Sequence, residues 1–238
     1  SFFTPLGRAV VAFDQGRQLD PVTVKFGRMF ATTQDAQAKY FLPQDRAGSD
    51  VAHELAEMLG GSVHWKDDQA IFECNDGRSM PLSALSSGQQ ELLPLVNVIN
   101  FVGERSPDGL GLLFIEEPEA HLFPASQSRL IQVLSGMTRG TRLFLTTHSP
   151  YVLAKINNLI KAGQLGKSIS SASKKSALQS IVPEKYRLRP GSVAAYAICD
   201  GVLVPLIDGD GLIGADYLDS ISSDISSEFS KLLDVEYA

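Results

Sequence analysis

The chain has 238 residues, enough for one large domain or two small ones. Its 44% apolar and 20% charged residues are those of an ordinary folded protein and exclude global disorder. A net charge of −6 gives no electrostatic reason for nucleic acid to bind the surface as a whole, although a local basic patch remains compatible with it. Cys74 and Cys199 lie far apart and outside metal-ligand spacing, so they read as free thiols of a reducing compartment. No apolar run is long enough to span a bilayer. The first residues, SFFTPLGRAVV, lack a basic n-region and a small-residue cleavage pattern. A cytoplasmic protein is the expectation.

Taken in chain order, Phe2 to Phe13 suggests an extended segment around a turn at Pro5-Leu6-Gly7. Val51, Leu55, Met58 and Leu59 share one face of a predicted helix, with Asp50 as its cap and Gly60-Gly61 as its stop. SVHWKDDQAIFECNDGR predicts a hairpin turning at Asp67-Asp68, with a further turn at Asn75-Asp76-Gly77. Gln89 to Gly103 reads as a buried helix, and Pro94 inside it predicts a kink or a late start. Leu112 to Ile115 is a continuous apolar run, expected of a central buried parallel strand. A helix is predicted from Pro124 to Met137, a second buried strand over Leu143 to Thr146, and a helix over Pro150 to Lys161. Two successive strand–helix units imply a parallel sheet flanked by helices. The stretch QLGKSISSASKKSALQS, rich in Ser and Lys, reads as a mobile surface loop. Val193–Cys199 and Val202–Ile207 flank Asp200-Gly201, a strong hairpin signal. Ala215 to Leu233 has apolar residues at helical spacing.

Three constellations can carry chemistry. Leu85-Ser86-Ser87-Gly88-Gln89-Gln90 precedes a helix, where small residues and exposed N–H groups favour a phosphate; a generic helix cap is the alternative. Leu112-Leu113-Phe114-Ile115-Glu116-Glu117-Pro118-Glu119 ends an apolar strand in paired carboxylates, at the strand end where α/β sheets bind ligands. One carboxylate there can hold Mg²⁺ and the next can orient a water; a solvated acidic turn is the alternative. Leu143-Phe144-Leu145-Thr146-Thr147-His148-Ser149-Pro150 ends a second strand in a histidine before a helix. That histidine can contact phosphate or simply cap the helix. Together these spacings can converge Ser86, Glu116, Glu117 and His148 on one face.

In LSSGQQ, LLFIEEPEAHLFP, TTHSPYVLAKINNLI and the early FFTPLGR the sequence resembles the ABC-type ATPases. Within them it is similar to the group of the overcoming-lysogenization-defect nucleases and the ATPase subunits of bacterial antiphage systems. The likeness is strong over 81–162 and weaker elsewhere. It implies an α/β fold: the C-terminal part of an ABC-type P-loop NTPase head, a mainly parallel sheet flanked by helices. A small α+β subdomain over 1–80 would lead to the core at 81–162, the loop at 163–180 and a hairpin and helix at 181–238, all of one ATPase domain. By the same resemblance Ser86, Ser87, Gly88 and Gln89 form the signature that contacts ATP held by the opposite subunit. Glu116 stands near Mg²⁺, through water. Glu117 is the catalytic base and His148 the switch histidine. Glu119, His121 and Leu122-Phe123-Pro124 match the loop that communicates across the dimer. The general ABC pattern has Asp at the Glu116 position and Gly at the Ser87 position, and Phe123 replaces a common His.

No G-x-x-x-x-G-K-[ST] occurs, and Gly166-Lys167-Ser168 has Lys161 where its first glycine should stand. The loop that grips the triphosphate is therefore expected in an N-terminal segment preceding these residues, with the chain a fragment. Asp208-Gly209-Asp210-Gly211 reads as turn residues rather than an acidic metal cluster, so no nuclease domain is expected. Lys185, Arg187 and Arg189 read as a solvated strand edge rather than a phosphate contact. The expected activity is ATP hydrolysis, with ATP and Mg²⁺ as cofactors, by a homodimer that sandwiches nucleotide and regulates an effector such as a nuclease or toxin. DNA is a possible partner that the charge does not indicate, and a membrane is not expected. Two rivals remain: a non-hydrolysing oligomerisation module, against which the intact acidic pair argues, and a DNA-repair ATPase of the structural-maintenance type. The latter needs heptad arms, which these residues lack.

Overall fold

A computed structural model of the chain describes residues 50–66, 69–103, 111–214 and 226–231. The extended segment at Phe2–Phe13, the Asp67-Asp68 turn and most of the predicted tail helix lie outside these residues. The chain forms two compact units, one of residues 1–126 with 137–146 and one of 127–136 with 147–238.

In the first unit, α1 (Asp50–Leu59) leads into an antiparallel sheet of β1 (Gly61–Lys66), β2 (Gln69–Cys74) and β3 (Ser79–Pro81), in that order. The predicted helix is present, and the predicted hairpin gains a third strand. Gly61 is needed at the start of β1, since a Cβ there would stand 2.2 Å from the Glu73 carbonyl oxygen. Arg78 closes the Asn75-Asp76-Gly77 turn through its Nε and the Asp76 carboxylate, 2.8 Å apart. That guanidinium holds the Asp76 carboxyl below the usual carboxylate range. A short 3₁₀ turn, Leu82–Ala84, then delivers the chain to α2 (Ser87–Gly103). Pro94 sits inside α2, yet the helix begins at Ser87, so no late start occurs. α1 packs on α2 and β1. Leu55, Leu59, Val63, Phe72, Leu92, Val96 and Ile99 are buried in this unit. Burying one such side chain stabilises the fold by about 1.5–3 kcal/mol.

The same unit holds a parallel pair, β4 (Gly111–Glu116) and β5 (Thr141–Thr146), in register from Gly111↔Thr141 to Glu116↔Thr146. Both strands and their parallel sense follow the sequence expectation. The burial does not, for Leu112, Phe114 and Phe144 are 54%, 66% and 55% exposed. Side chains alternate between the faces of a strand, and an apolar run cannot say which face carries a covering layer. The rings of Phe114 and Phe144 meet on this face with centroids 5.2 Å apart.

α3 (Pro124–Ser135) begins in the first unit and continues in the second, which it shares with α4 (Pro150–Ser168) and α5 (Ala172–Ile181). The mobile loop read over 163–180 is thus replaced by helices. α4 runs well past Lys161, and α5 occupies most of the Ser/Lys-rich stretch. Single-residue composition hid this. Gly163, a helix breaker by propensity, is buried where a Cβ would stand 1.7 Å from the Leu188 carbonyl oxygen. Leu178 is the only buried side chain of α5. Gly166-Lys167-Ser168 lies at the C-terminal end of α4, a setting unlike a phosphate loop. Arg187 is not on a strand edge: its Nε donates to the Val182 carbonyl at 2.9 Å, beside the 3₁₀ turn Glu184–Tyr186. Lys185 lies 4.8 Å from the centre of the Tyr186 ring. The hairpin of β6 (Tyr196–Cys199) and β7 (Val202–Pro205) follows, turning at Asp200 (φ 50°) and Gly201 (φ 77°) as predicted. Asp208 accepts N–H bonds from Asp210 and Leu212 at 2.9 Å, which makes the Asp-Gly-Asp-Gly stretch a turn. Both cysteines are free, and among the described residues no helix is long and apolar enough to cross a membrane.

Candidate functional site

The N-terminus of α2 is built by a capping box. The Ser86 N–H and Oγ donate to Gln89 Oε1 at 3.1 and 3.0 Å, and the Gln89 N–H returns to Ser86 Oγ at 3.3 Å. Gln89 Nε2 also donates to the Leu59 carbonyl at 2.8 Å, tying the cap to the end of α1. The cap alternative is therefore realised in the geometry of Ser86 and Gln89. The first N–H groups of a helix have no carbonyl partner within it. Gln89 is served by Ser86 Oγ and Gln90 by the Ser86 carbonyl, so the dipole-bearing end is presented by Ser87 and Gly88.

Those two residues line a concave pocket of about 310 Å³, together with Ser86, His121, Leu122 and Phe123. A Cβ on Gly88 would stand 3.0 Å from both the His121 carbonyl oxygen and Leu122 Cδ2, so glycine admits the close approach of this loop. The loop is a run of turns: Ala120 N–H to Glu117 O at 2.9 Å, Leu122 N–H to Glu119 O at 3.0 Å, and Ser126 N–H to Phe123 O at 2.8 Å. His121 takes a left-handed φ of 59° within it. Glu119 is buried at 6% exposure, whereas His121 and Phe123 face solvent. The structure thus brings the predicted signature and the 121–123 loop into one pocket.

Glu116 is the last residue of β4, directly across from Thr146, and its side chain is exposed. Glu117 leaves the strand with a φ of 41°, a conformation that costs a non-glycine residue about 1 kcal/mol or more. Its N–H is held by two acceptors on Thr146, the carbonyl oxygen at 3.0 Å and Oγ1 at 3.2 Å. Sequence reading missed Thr146; its only signal was the equal length of the two strands, which sets it beside the acidic pair.

His148 belongs to the second unit and is exposed. It does not cap α4, because Ser149 does: its Oγ accepts the Val152 N–H at 3.4 Å, with Pro150 opening the helix. The Ser149 Oγ donates to Gln127 Oε1 at 2.6 Å, and its N–H to Thr147 Oγ1 at 3.0 Å. The histidine is thereby left outside the cap. Among the described residues no three His, Cys, Asp or Glu side chains gather as a metal cage. Mg²⁺ on nucleotide is usually held by one or two carboxylates and the phosphates, and the exposed carboxylate of Glu116 at the end of β4 is compatible with such a donor set.

Residues 11–154 match the family described as "AAA domain, putative AbiEii toxin, Type IV TA system". The chain belongs to this family. Among curated proteins it is similar to the Retron Vc95 probable ATPase of Vibrio cholerae serotype O1 biovar El Tor, with 29% identity over 90 residues. It is also similar to the Retron Ec83 probable ATPase of Escherichia coli, with 30% identity over 97 residues. The matched parts are 35% and 36% of this chain and 18% of each relative's length. Among solved structures, an SMC ATPase aligns over 80% of this chain and 97% of its own, at 13% identity and a TM-score of 0.45. The Smc head domain derived from Pyrococcus yayanosii aligns over 84% of this chain and 33% of its own, at 12% identity and a TM-score of 0.46. Both structural likenesses are distant.

Proposed function

We propose that the chain is part of an ABC-type ATPase head that binds and hydrolyses ATP as a homodimer and regulates a partner effector in antiphage defence. The observation that carries this reading is Glu117, held left-handed at the end of a parallel strand by Thr146, beside Glu116. A carboxylate kept in a strained backbone geometry by two acceptors is one whose direction matters. The family match and the retron relatives named as probable ATPases support the same reading.

In this reading a water attacks the γ-phosphorus in line. Its oxygen forms the new P–O bond, the bond to the β–γ bridging oxygen breaks, and the water's proton passes to the Glu117 carboxylate. Glu116 would hold Mg²⁺, through water, and the cation would supply charge neutralisation at the phosphate oxygens. His148 is assigned a hydrogen bond to the γ-phosphate. The signature acts on nucleotide of the opposite subunit. Since Ser86 and Gln89 are engaged in the cap, the Ser87 hydroxyl and the Ser87 and Gly88 N–H groups are its phosphate-facing part, with Ser86 and Gln89 holding them in place. The head would open on hydrolysis and so change the state of an effector, a nuclease or a toxin.

Substitution Glu117→Gln in the intact protein is the test. Phosphate release is expected to be lost while nucleotide binding is retained, because the amide keeps the shape but cannot take the proton. Hydrolysis at the wild-type rate would refute the assignment.

A further inference from the structure

Gln127 has no part in the reading above, yet it holds the segment that carries His148. It lies in the first turn of α3, and its Oε1 accepts the Ser149 hydroxyl at 2.6 Å. That is at the short end for an O–H···O bond. A serine hydroxyl has a single proton to give. Ser149 gives it to Gln127, which leaves the oxygen lone pairs for the Val152 N–H, 3.4 Å away. The cap bond is the longer and weaker of the two, so Gln127 is the firmer hold on this hydroxyl. On the near side of His148, Thr147 Oγ1 accepts the Ser149 N–H at 3.0 Å, a side-chain turn that spans the histidine. His148 is therefore bracketed by two side chains that are both engaged. Thr147 belongs to its own segment. Gln127 reaches in from a helix, 22 residues before Ser149.

α3 and α4 share a second bridge of the same length. Lys155 Nζ donates to Gln132 Oε1 at 2.6 Å. Gln127 and Gln132 are both half-buried. Two glutamines of one helix thus hold α4, one at its N-cap beside His148 and the other a turn and a half into the helix. For docking one helix on the other the two bridges are equivalent. For placing a residue that precedes α4 they are not, because the bridge at Ser149 acts on the adjoining peptide and the bridge at Lys155 does not.

We propose that Gln127 is a positioning residue for His148: its bond to Ser149 fixes the backbone from which the histidine meets the γ-phosphate. The inference rests on the role given to His148 under the proposed function. Gln127 itself touches no nucleotide in this reading. It acts through the peptide at 148–149. A hydrogen bond to phosphate holds over a narrow range of distance and angle, so its donor must be placed closely. A misplacement of about 1 Å caused by a change away from the chemistry can cost about a hundredfold in rate. Pro150 has its φ locked by its ring, and the Thr147 turn fixes the other side. Ser149 is the joint between them, and Gln127 is what stops that joint from turning.

The test is steady-state phosphate release by the intact protein. Gln127→Met keeps the length and helix propensity of the side chain and removes the acceptor, and kcat is expected to fall roughly tenfold or more. Gln127→Glu keeps an acceptor oxygen and should restore kcat to within about threefold of the parent. Gln132→Met breaks the other bridge and should leave kcat unchanged. His148→Ala is slow in this reading, and adding Gln127→Met to it should change kcat by less than about twofold, because a residue that acts through another has nothing further to lose. Circular dichroism checks that each variant is folded. Ser149→Ala removes the other partner of the bond and should repeat the loss where Gln127→Met does not fold. Hydrolysis at the parental rate in His148→Ala overturns the role of the histidine, and the inference with it. A slow His148→Ala protein beside Gln127→Met at the parental rate overturns the inference alone. So do losses that multiply in the double variant, an equal loss in Gln132→Met, or no recovery in Gln127→Glu.

Discussion

Gly163 and Gly166 lie one turn apart on α4, and alanine should act on them in opposite directions. Each replacement gains about 1 kcal/mol of helix propensity, because alanine surrenders less backbone freedom than glycine. At Gly163 the new methyl carbon would stand 1.7 Å from the Leu188 carbonyl oxygen, where nothing under 3.0 Å is tolerated. The oxygen belongs to backbone, and the Leu188 N–H is bonded to the Leu159 carbonyl at 3.2 Å, so retreat by more than an ångström strains that bond. Overpacking of this kind costs about 1–3 kcal/mol and a broken backbone hydrogen bond about 1 kcal/mol more. Net destabilisation of Gly163→Ala is about 2 kcal/mol, or roughly 4–8 °C in Tm for a domain of this size. At Gly166 the nearest atom is Arg187 Nη1 at 3.4 Å, the end of a flexible side chain, so Gly166→Ala should stabilise by about 0.5–1 kcal/mol. Urea unfolding followed by far-UV circular dichroism reads both. A Gly163→Ala protein as stable as the parent would refute the close approach of α4 to Leu188, and a Gly166→Ala protein less stable than it would refute the room beside Arg187.

Two further outcomes follow from single contacts. Thr146→Val removes the Oγ1 acceptor of the Glu117 N–H and leaves the carbonyl acceptor; in the intact protein kcat for ATP should fall roughly threefold to tenfold at unchanged KM, with Thr146→Ser restoring it. Steady-state phosphate release checks this, and a change confined to KM would contradict it. Burial lowers the pKa of Lys155 below its ordinary 10.5, while its Nζ donates to Gln132 Oε1 at 2.6 Å. The folded state therefore binds fewer protons than the unfolded chain between the lowered value and 10.5, and stability rises with pH across that window. Lys155→Met should lack this rise, which paired denaturant titrations at pH 8 and about pH 10 would measure.

Much of the candidate site was legible because its signals are local. Ser86 and Gln89 stand at the spacing of a capping box, and Asp200-Gly201 at that of a two-residue turn. Leu112–Ile115 and Leu143–Thr146 are too short and too apolar for anything but strands, and consecutive strand–helix units run parallel. Covalent order alone thus places the carboxylates of Glu116 and Glu117 at a strand end. What stayed illegible depends on partners distant in sequence. The helices over 163–181 were hidden because Gly163 and a run of Ser and Lys argue locally for a loop. The backbone at Leu188 explains the glycine, and α5 is anchored by the burial of Leu178 and by Gln179 Oε1, which accepts from the Glu184 N–H and Arg187 Nη2.

The same division runs through the chemistry. Residue types and their spacing were enough to name the acidic pair, the helix N-terminus and the histidine, because those depend on covalent order and on the periods of strand and helix. Tertiary structure alone decided that the N–H of left-handed Glu117 meets two oxygens of Thr146, and that Gln89 Nε2 ties the cap of α2 to the Leu59 carbonyl at the end of α1. Each is a hydrogen bond whose partner was chosen by packing. Sequence order sets which donors and acceptors exist; the packed fold sets which of them meet.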